Sequence, residues 1–219
     1  MIARAFVDWG WIVDHLDEIR DKVVEHLALT GIALAVGLAI SMVLALIGLR
    51  FPRTLAPITW TAAGLYTIPS LALFAFLVPI TGFTTLTAEI GLVSYTLLIL
   101  IRNIVAGIQG VDPAVVEAAR GMGYGQRRLL LEIEIPLALP VIMAGLRIAA
   151  VTTVGLVTIT ALIGQGGVGF FILRGLNRFF ETEIVLGTAL SVLLAVLLDL
   201  SLAALGRLLS PWARRKVPA

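Results

Sequence analysis

A chain of 219 residues that is 59% hydrophobic and 14% charged, with a mean hydropathy of +1.04, has too little polar surface to cover a soluble globule. The composition excludes an ordinary water-soluble domain and predicts an all-α polytopic membrane protein, with membrane lipid rather than nucleic acid around it. The net charge is +2, cysteine is absent, and the two histidines, His15 and His26, precede the first long apolar run. Thiol chemistry is therefore excluded, and neither a Ser-His protease nor a histidine-ligated metal site can be assembled within the spans. No G-x-x-x-x-G-K-[ST] sequence occurs, which excludes ATP hydrolysis by the chain itself.

Residues 1–26 interleave Asp8, Asp14, Asp17, Glu18, Asp21 and Glu25 with Trp9, Trp11, Ile12, Leu16 and Ile19. The pattern predicts an external amphipathic segment with a solvated acidic face. It lacks a basic start and a small-residue cleavage site, so it is not read as a signal peptide. Leu27 to Leu49 is an uncharged run of 23 residues, and about 20 suffice to cross the hydrocarbon. This is span one, and Arg50-Phe51-Pro52-Arg53 follows as a short basic turn. Leu55 to Ile80 is apolar but carries Pro57, Pro69 and Pro79, which predicts a second span broken near Thr67-Ile68-Pro69-Ser70. Broken helices persist in membranes only where protein or a cavity satisfies the freed carbonyls. Tyr66, Pro69, Ser70 and Phe74 thus mark either a wall of a translocation path or a packing kink.

Ala88 to Ile108 is span three, with Arg102 and Asn103 near its end. The one long polar interruption of the second half follows, over residues 109–136. Asp112 before Pro113 is a helix start, since Pro needs no amide partner there and Asp accepts an orphan amide. Glu117, Ala118 and Ala119 continue that helix, and Gly121, Gly123 and Gly125 allow the chain to turn out of it. A second short helix is expected from about Gln126 to Pro136. Span four runs from about Leu137 to Ile163. Gly164-Gln165-Gly166-Gly167-Val168-Gly169 reads as a tight re-entrant turn, because no Lys-Ser/Thr follows to complete a phosphate cradle. Residues 170–182 are expected as an external loop and Glu183 to Arg207 as span five, so residues 27–207 form the membrane domain. Residues 208–219 form a basic tail.

Two charges lie deep inside spans. Arg147 and Asp199 are each on the order of 12 to 15 Å deep at 1.5 Å rise per residue. Either they pair with one another or each snorkels separately. With the 109–136 loop on the cytoplasmic side, that side carries nine basic residues: Arg50, Arg53, Arg120, Arg127, Arg128, Arg207, Arg214, Arg215 and Lys216. The opposite side carries five, Arg4, Arg20, Lys22, Arg174 and Arg178, so the positive-inside bias puts the N-terminus outside and the C-terminus inside.

Glu117-Ala118-Ala119, then Gly123, then Ile133-Glu134-Ile135-Pro136 at their spacing resembles the E-A-A-x3-G-x9-I-x-L-P loop of ATP-binding-cassette importer permeases, with Ile135 where the pattern usually has Leu. Residues 67–76, Ile101-Arg102-Asn103, Val111-Asp112-Pro113, residues 117–123 and 137–145 look like the permeases of osmoprotectant importers, which carry glycine betaine, choline and carnitine. The similarity runs from about residue 27 to 206.

The resemblance implies a type I importer fold on the five-span scaffold also used by methionine permeases, in a bacterial inner membrane. Asp112, Pro113, Glu117, Ala118, Ala119, Gly123, Ile133 and Pro136 would form a cytoplasmic coupling helix seated in an ATPase subunit. It implies two ATPase partners that hold the ATP and magnesium, no cofactor in this chain, an external solute-binding protein, and a second permease that is either identical or a paired homologue. Two other readings stay open: a permease of the same kind for another small solute such as an amino acid, and an ion-coupled secondary carrier. The latter would need a mid-membrane ionisable group and internal repeats.

Overall fold

The computed structural model describes residues 7–214; Arg4 and the tail beyond Arg214 lie outside the described residues. Ten α-helices are found among them. α1 (Trp9–Asp14) begins at Asp8, whose carboxylate accepts the Trp11 amide at 3.1 Å. α2 (Leu16–Arg50) runs unbroken for 35 residues. The helix therefore has no boundary at residue 26: nothing between Leu16 and Leu27 is a breaker, so the charged segment and span one are one rod. Phe51 alone separates α2 from α3 (Pro52–Thr67), and Pro52 supplies a first helical residue that needs no amide partner.

α3 and α4 (Ser70–Thr81) meet at a bend of 97°. Pro69 causes it by holding Ile68 extended, with φ −65° and ψ 128°, and by lacking an amide of its own. Pro57 and Pro79 lie within helices that continue through them. The Ile68 carbonyl freed at the break accepts the Tyr95 hydroxyl from α5 (Thr85–Gln109). Among the described residues, four helices are long and apolar enough to cross a membrane, and a fifth crossing results if α3 and α4 count as one span.

After α6 (Pro113–Gly121), the chain turns into α7 (Gln126–Leu129), one wide π turn over Leu130–Glu134, and α8 (Ile135–Ile159) without leaving helical conformation. The second loop helix expected to stop at Pro136 is thus the foot of span four. Pro136 has no amide to give Glu132, and the wider turn immediately before it accommodates the missing bond. Residues 170–182 are likewise mostly helix rather than loop: α9 (Gly169–Arg178) leads through Phe179, at φ 53°, into α10 (Glu181–Leu209).

α5 and α8 form the centre, with α2 along both, α3 and α4 on α5, and α10 on α8. Small residues set these distances, as expected where lipid gives no hydrophobic drive between helices. Gly37 takes the Thr96 side chain, Gly91 the ring of Phe74, and Gly145 the side chain of Asn103; a Cβ at any of them would collide. Leu34, Leu100, Ile104, Ile142 and Ala149 fill the space between.

The Tyr95 bond yields a test. Tyr95→Phe removes the donor while keeping the ring, so the protein should lose about 1–3 kcal/mol of stability for the stranded carbonyl. Thermal unfolding in detergent would register this as a lowered Tm; an unchanged Tm would mean that the Ile68 carbonyl finds another donor.

Candidate functional site

The loop over residues 109–136 is built by its caps. Asp112 Oδ1 accepts the Ala114 amide at 2.8 Å, and Pro113 occupies the first turn of α6. Ala119 is 1% exposed and faces the membrane body, whereas Glu117 and Ala118 face outward beside Val115 and Met122. The two alanines of the Glu117-Ala118-Ala119 run are therefore divided, Ala119 inward and Ala118 outward. The Tyr124 amide bonds back to the Ala119 carbonyl at 3.1 Å, and Gly123 makes the turn at φ 85°. That conformation favours glycine. Beyond it, Arg128 lies 4.4 Å from the Tyr124 ring centre and bonds to Glu132 at 2.9 Å, which keeps the turn and the foot of α8 together. Ile133 and Pro136 are half-buried there.

The residues expected at the broken span separate. Tyr66 and Pro69 are exposed, Ser70 is half-buried, and Tyr66 meets Tyr95 edge-on at 5.8 Å. Phe74 is 1% exposed and packs against Gly91, Leu29, Ala33 and Leu92. Phe74 is a core residue in this conformation, because glycine at 91 opens a hole for its ring.

Arg147 of α8 and Asp199 of α10 come together. Nε meets Oδ1 and Nη2 meets Oδ2, both at 2.8 Å, in a two-pronged pair. The side chains remain 40% and 29% exposed. Planar guanidinium and carboxylate match in this geometry, which gives direction as well as attraction.

A third constellation was missed by sequence reasoning. Arg174 of α9 bonds to Glu18 of α2 at 2.7 and 3.0 Å and to Glu183 of α10 at 2.9 Å, and its guanidinium lies 4.5 Å from the Phe170 ring centre. Burial works against the Arg174 charge, yet the hydrogen bonds it donates to both glutamates outweigh it and its pKa is raised. The hydrogen bond from Arg174 holds Glu18 below the ordinary glutamate value of 4.5. One turn into α2 from Lys22, Glu25 Oε1 accepts the amides of Gly166 and Gly167 at 3.0 and 3.1 Å. Gly166 and Gly167, at φ 130° and 50°, lie too close to Ala161 and His26 for any side chain. His26 is fully buried under this turn. The available signal was the acid-rich stretch before span one, whose carboxylates needed partners; their partners lie some 140 to 156 residues away, beyond any local pattern.

A helical bundle with five crossings, a bent second span and a capped polar loop at the foot of the fourth is the architecture of a transport permease. Residues 35–215 match the family described as the binding-protein-dependent transport system inner membrane component, and the chain belongs to that family. Similar curated proteins include the carnitine transport permease protein of Listeria monocytogenes, 37% identical over 88% of both chains. A choline transport system permease protein of Bacillus subtilis is 34% identical over 89% of both. An osmoprotectant import permease protein of Salmonella typhimurium is 32% identical over 92% of this chain and 96% of its own. Among solved structures, an inward-facing methionine ABC transporter superposes with a TM-score of 0.75 at 21% identity, over 85% of this chain and 94% of that one. An amino acid ABC transporter superposes at 0.71 and 19%, over 92% and 98%. These likenesses establish the fold as that of ABC importer permeases. The chain is a multi-pass inner-membrane protein.

The Arg174 clamp predicts an order of effects. Arg174→Gln strands the buried Glu183 carboxylate and should cost about 3 kcal/mol or more. Glu18→Gln, at a partly exposed site, should cost clearly less. Because Glu18 has a lowered pKa in the folded protein, its contribution is present above about pH 4.5 and is lost as pH falls through the lowered value. Unfolding curves of the two variants at neutral and acid pH check both points; equal losses would refute the ranking.

Proposed function

We propose that this chain is the membrane-spanning subunit of an ATP-driven importer for quaternary-ammonium compatible solutes of the glycine betaine, carnitine and choline type. The observation that carries the coupling role is the loop itself: a capped helix that presents Glu117 and Ala118 outward, closed by a glycine turn at φ 85° at the foot of the central span. The names of the carnitine, choline and osmoprotectant relatives support the solute class, since each covers most of its length with this chain.

In this reading α6 seats in a separate ATPase chain, which holds ATP and magnesium, and two such ATPases serve two permeases. Asp112 and Pro113 set the start of the coupling helix, Glu117 and Ala118 form its outward face, and Ala119 rests on the bundle. Gly123 fixes the exit angle, and Ile133 and Pro136 join it to α8. ATP-driven closure draws the two coupling helices together and rotates the bundles between inward- and outward-facing states. A solute-binding protein delivers its load to the opposite face, where α1, α9 and the Gly164–Gly169 turn lie. Tyr66, Pro69 and Ser70 at the bend of the second span border the path. The N-terminus is external and the C-terminus cytoplasmic, as the positive-inside count favours.

Two measurements test the proposal. A complex purified in mild detergent should contain an ATPase chain whose hydrolysis rises when binding protein loaded with glycine betaine, choline or carnitine is added; a permease that purifies alone and exchanges these solutes down a gradient would overturn it. A bulky β-branched residue at 123 meets open space but a forbidden backbone angle. Gly123→Val should therefore leave the protein inserted while uptake falls about tenfold or more at undiminished ATP hydrolysis. Unchanged uptake would remove the loop from the mechanism.

A further inference from the structure

The ion pair between Arg147 and Asp199 is placed where a lipid-facing surface has no use for it. α8 is the central helix of the bundle, covered by α2, α5 and α10 on its other sides. Its uncovered stripe runs along Val141, Ala144, Ile148, Val151 and Gly155, small to medium in bulk, with Arg147 and Thr152 at its margin. The pair sits between two cavities on this stripe. One of about 240 Å³ is lined by Met143, Ala144 and Gly206. The other, of about 490 Å³, is lined by Ala144, Arg147, Ile148, Val151, Thr152 and Asp199. A charge pair accessible at this depth is costly against hydrocarbon, and intramembrane charges characteristically face a bundle interior or a watered cavity.

We infer that the Arg147–Asp199 pair is a transient binding site for a zwitterionic solute on its way through the permease; the inference rests on the quaternary-ammonium reading above. The solute enters the larger cavity and exchanges partners with the pair. Its carboxylate takes the fork of Arg147, which suits a planar two-oxygen acceptor, and its ammonium group takes the Asp199 carboxylate. Net charge is zero before and after, so no step leaves an uncompensated charge in the membrane. A cavity of this size lies in the range that small ligands occupy. A purely cationic solute lacks the carboxylate: drawing Asp199 toward it leaves Arg147 without a partner. The site therefore discriminates in favour of glycine betaine over choline.

The absence of cysteine makes the test direct. Thr152→Cys places a single thiol in the wall of the larger cavity. The full chain, with any ATPase that accompanies it, is placed in nanodiscs and labelled with a small methanethiosulfonate. Glycine betaine at about twice its dissociation constant should slow labelling about threefold, choline distinctly less, and sorbitol not at all. Combining Thr152→Cys with Arg147→Gln and Asp199→Asn keeps a hydrogen-bonding side chain at each position and strands no charge. In that background the labelling rate without solute should be unchanged and protection by glycine betaine lost. Absence of protection in Thr152→Cys, protection that survives the double replacement, or equal protection by sorbitol overturns the site. ATP-driven uptake by the same purified protein reconstituted in sealed liposomes separates the two readings: protection without uptake would sink the importer assignment and leave the site standing.

Discussion

Inside hydrocarbon every backbone polar group and every charge must find its partner within the protein, and this one requirement organises the molecule. At two places where the chain departs from a straight helix, a named group compensates. The bend at Pro69 frees the Ile68 carbonyl, and the Tyr95 hydroxyl meets it. The glycine turn after span four exposes the amides of Gly166 and Gly167, and Glu25 accepts both. Two arginines obey the same rule, whereas the buried carboxylate oxygens of Glu89 in α5 have no hydrogen-bond partner among the described residues. Arg174 is held by two glutamates from two different helices, and Arg147 is held by Asp199.

These compensations divide the molecule into a stiff end away from the polar loop and an adjustable end that carries it. At the stiff end, Glu18 and Glu25 of α2, Arg174 of α9 and Glu183 of α10 tie three distant stretches together, with Trp11 packed edge-on against Phe171 and Phe180. The opposite end is held differently. α6 is fastened by its cap, by Ala119 and by one bond from Tyr124, while most of its surface is free.

Glycines give the bundle its close helix crossings, and they also determine which aromatic side chains face outward. Phe74 disappears into the space that Gly91 leaves, whereas Tyr66 and Trp60, with no such recess, stay accessible. The same logic explains α8. Gly145 lets α5 approach through Asn103, which turns the opposite stripe of α8, with Arg147 beside it, toward the uncovered side.

Local chemistry was enough to read much of this in the sequence. Long uncharged runs demand crossings, Pro69 demands a break, and Asp112-Pro113 with the later glycines demands a capped helix and a turn; each follows from one to a few neighbouring residues. What sequence order could not reveal depends on residues far apart in the chain. Most of the acidic stretch before span one is the first third of the same long helix, and two of its carboxylates, Glu18 and Glu25, meet Arg174 and the Gly166–Gly167 amides while Asp17 and Asp21 stay exposed. Residues 170–182 are largely helix because Gly175 and Gly187 let α9 lie against α10. The sequence by itself determined the membrane setting, the number of crossings and the polar loop, through hydropathy and backbone preference. Only the tertiary structure decided which charges are paired, which aromatics are buried and which face of α8 is left open, because those depend on how closely two helices are allowed to approach.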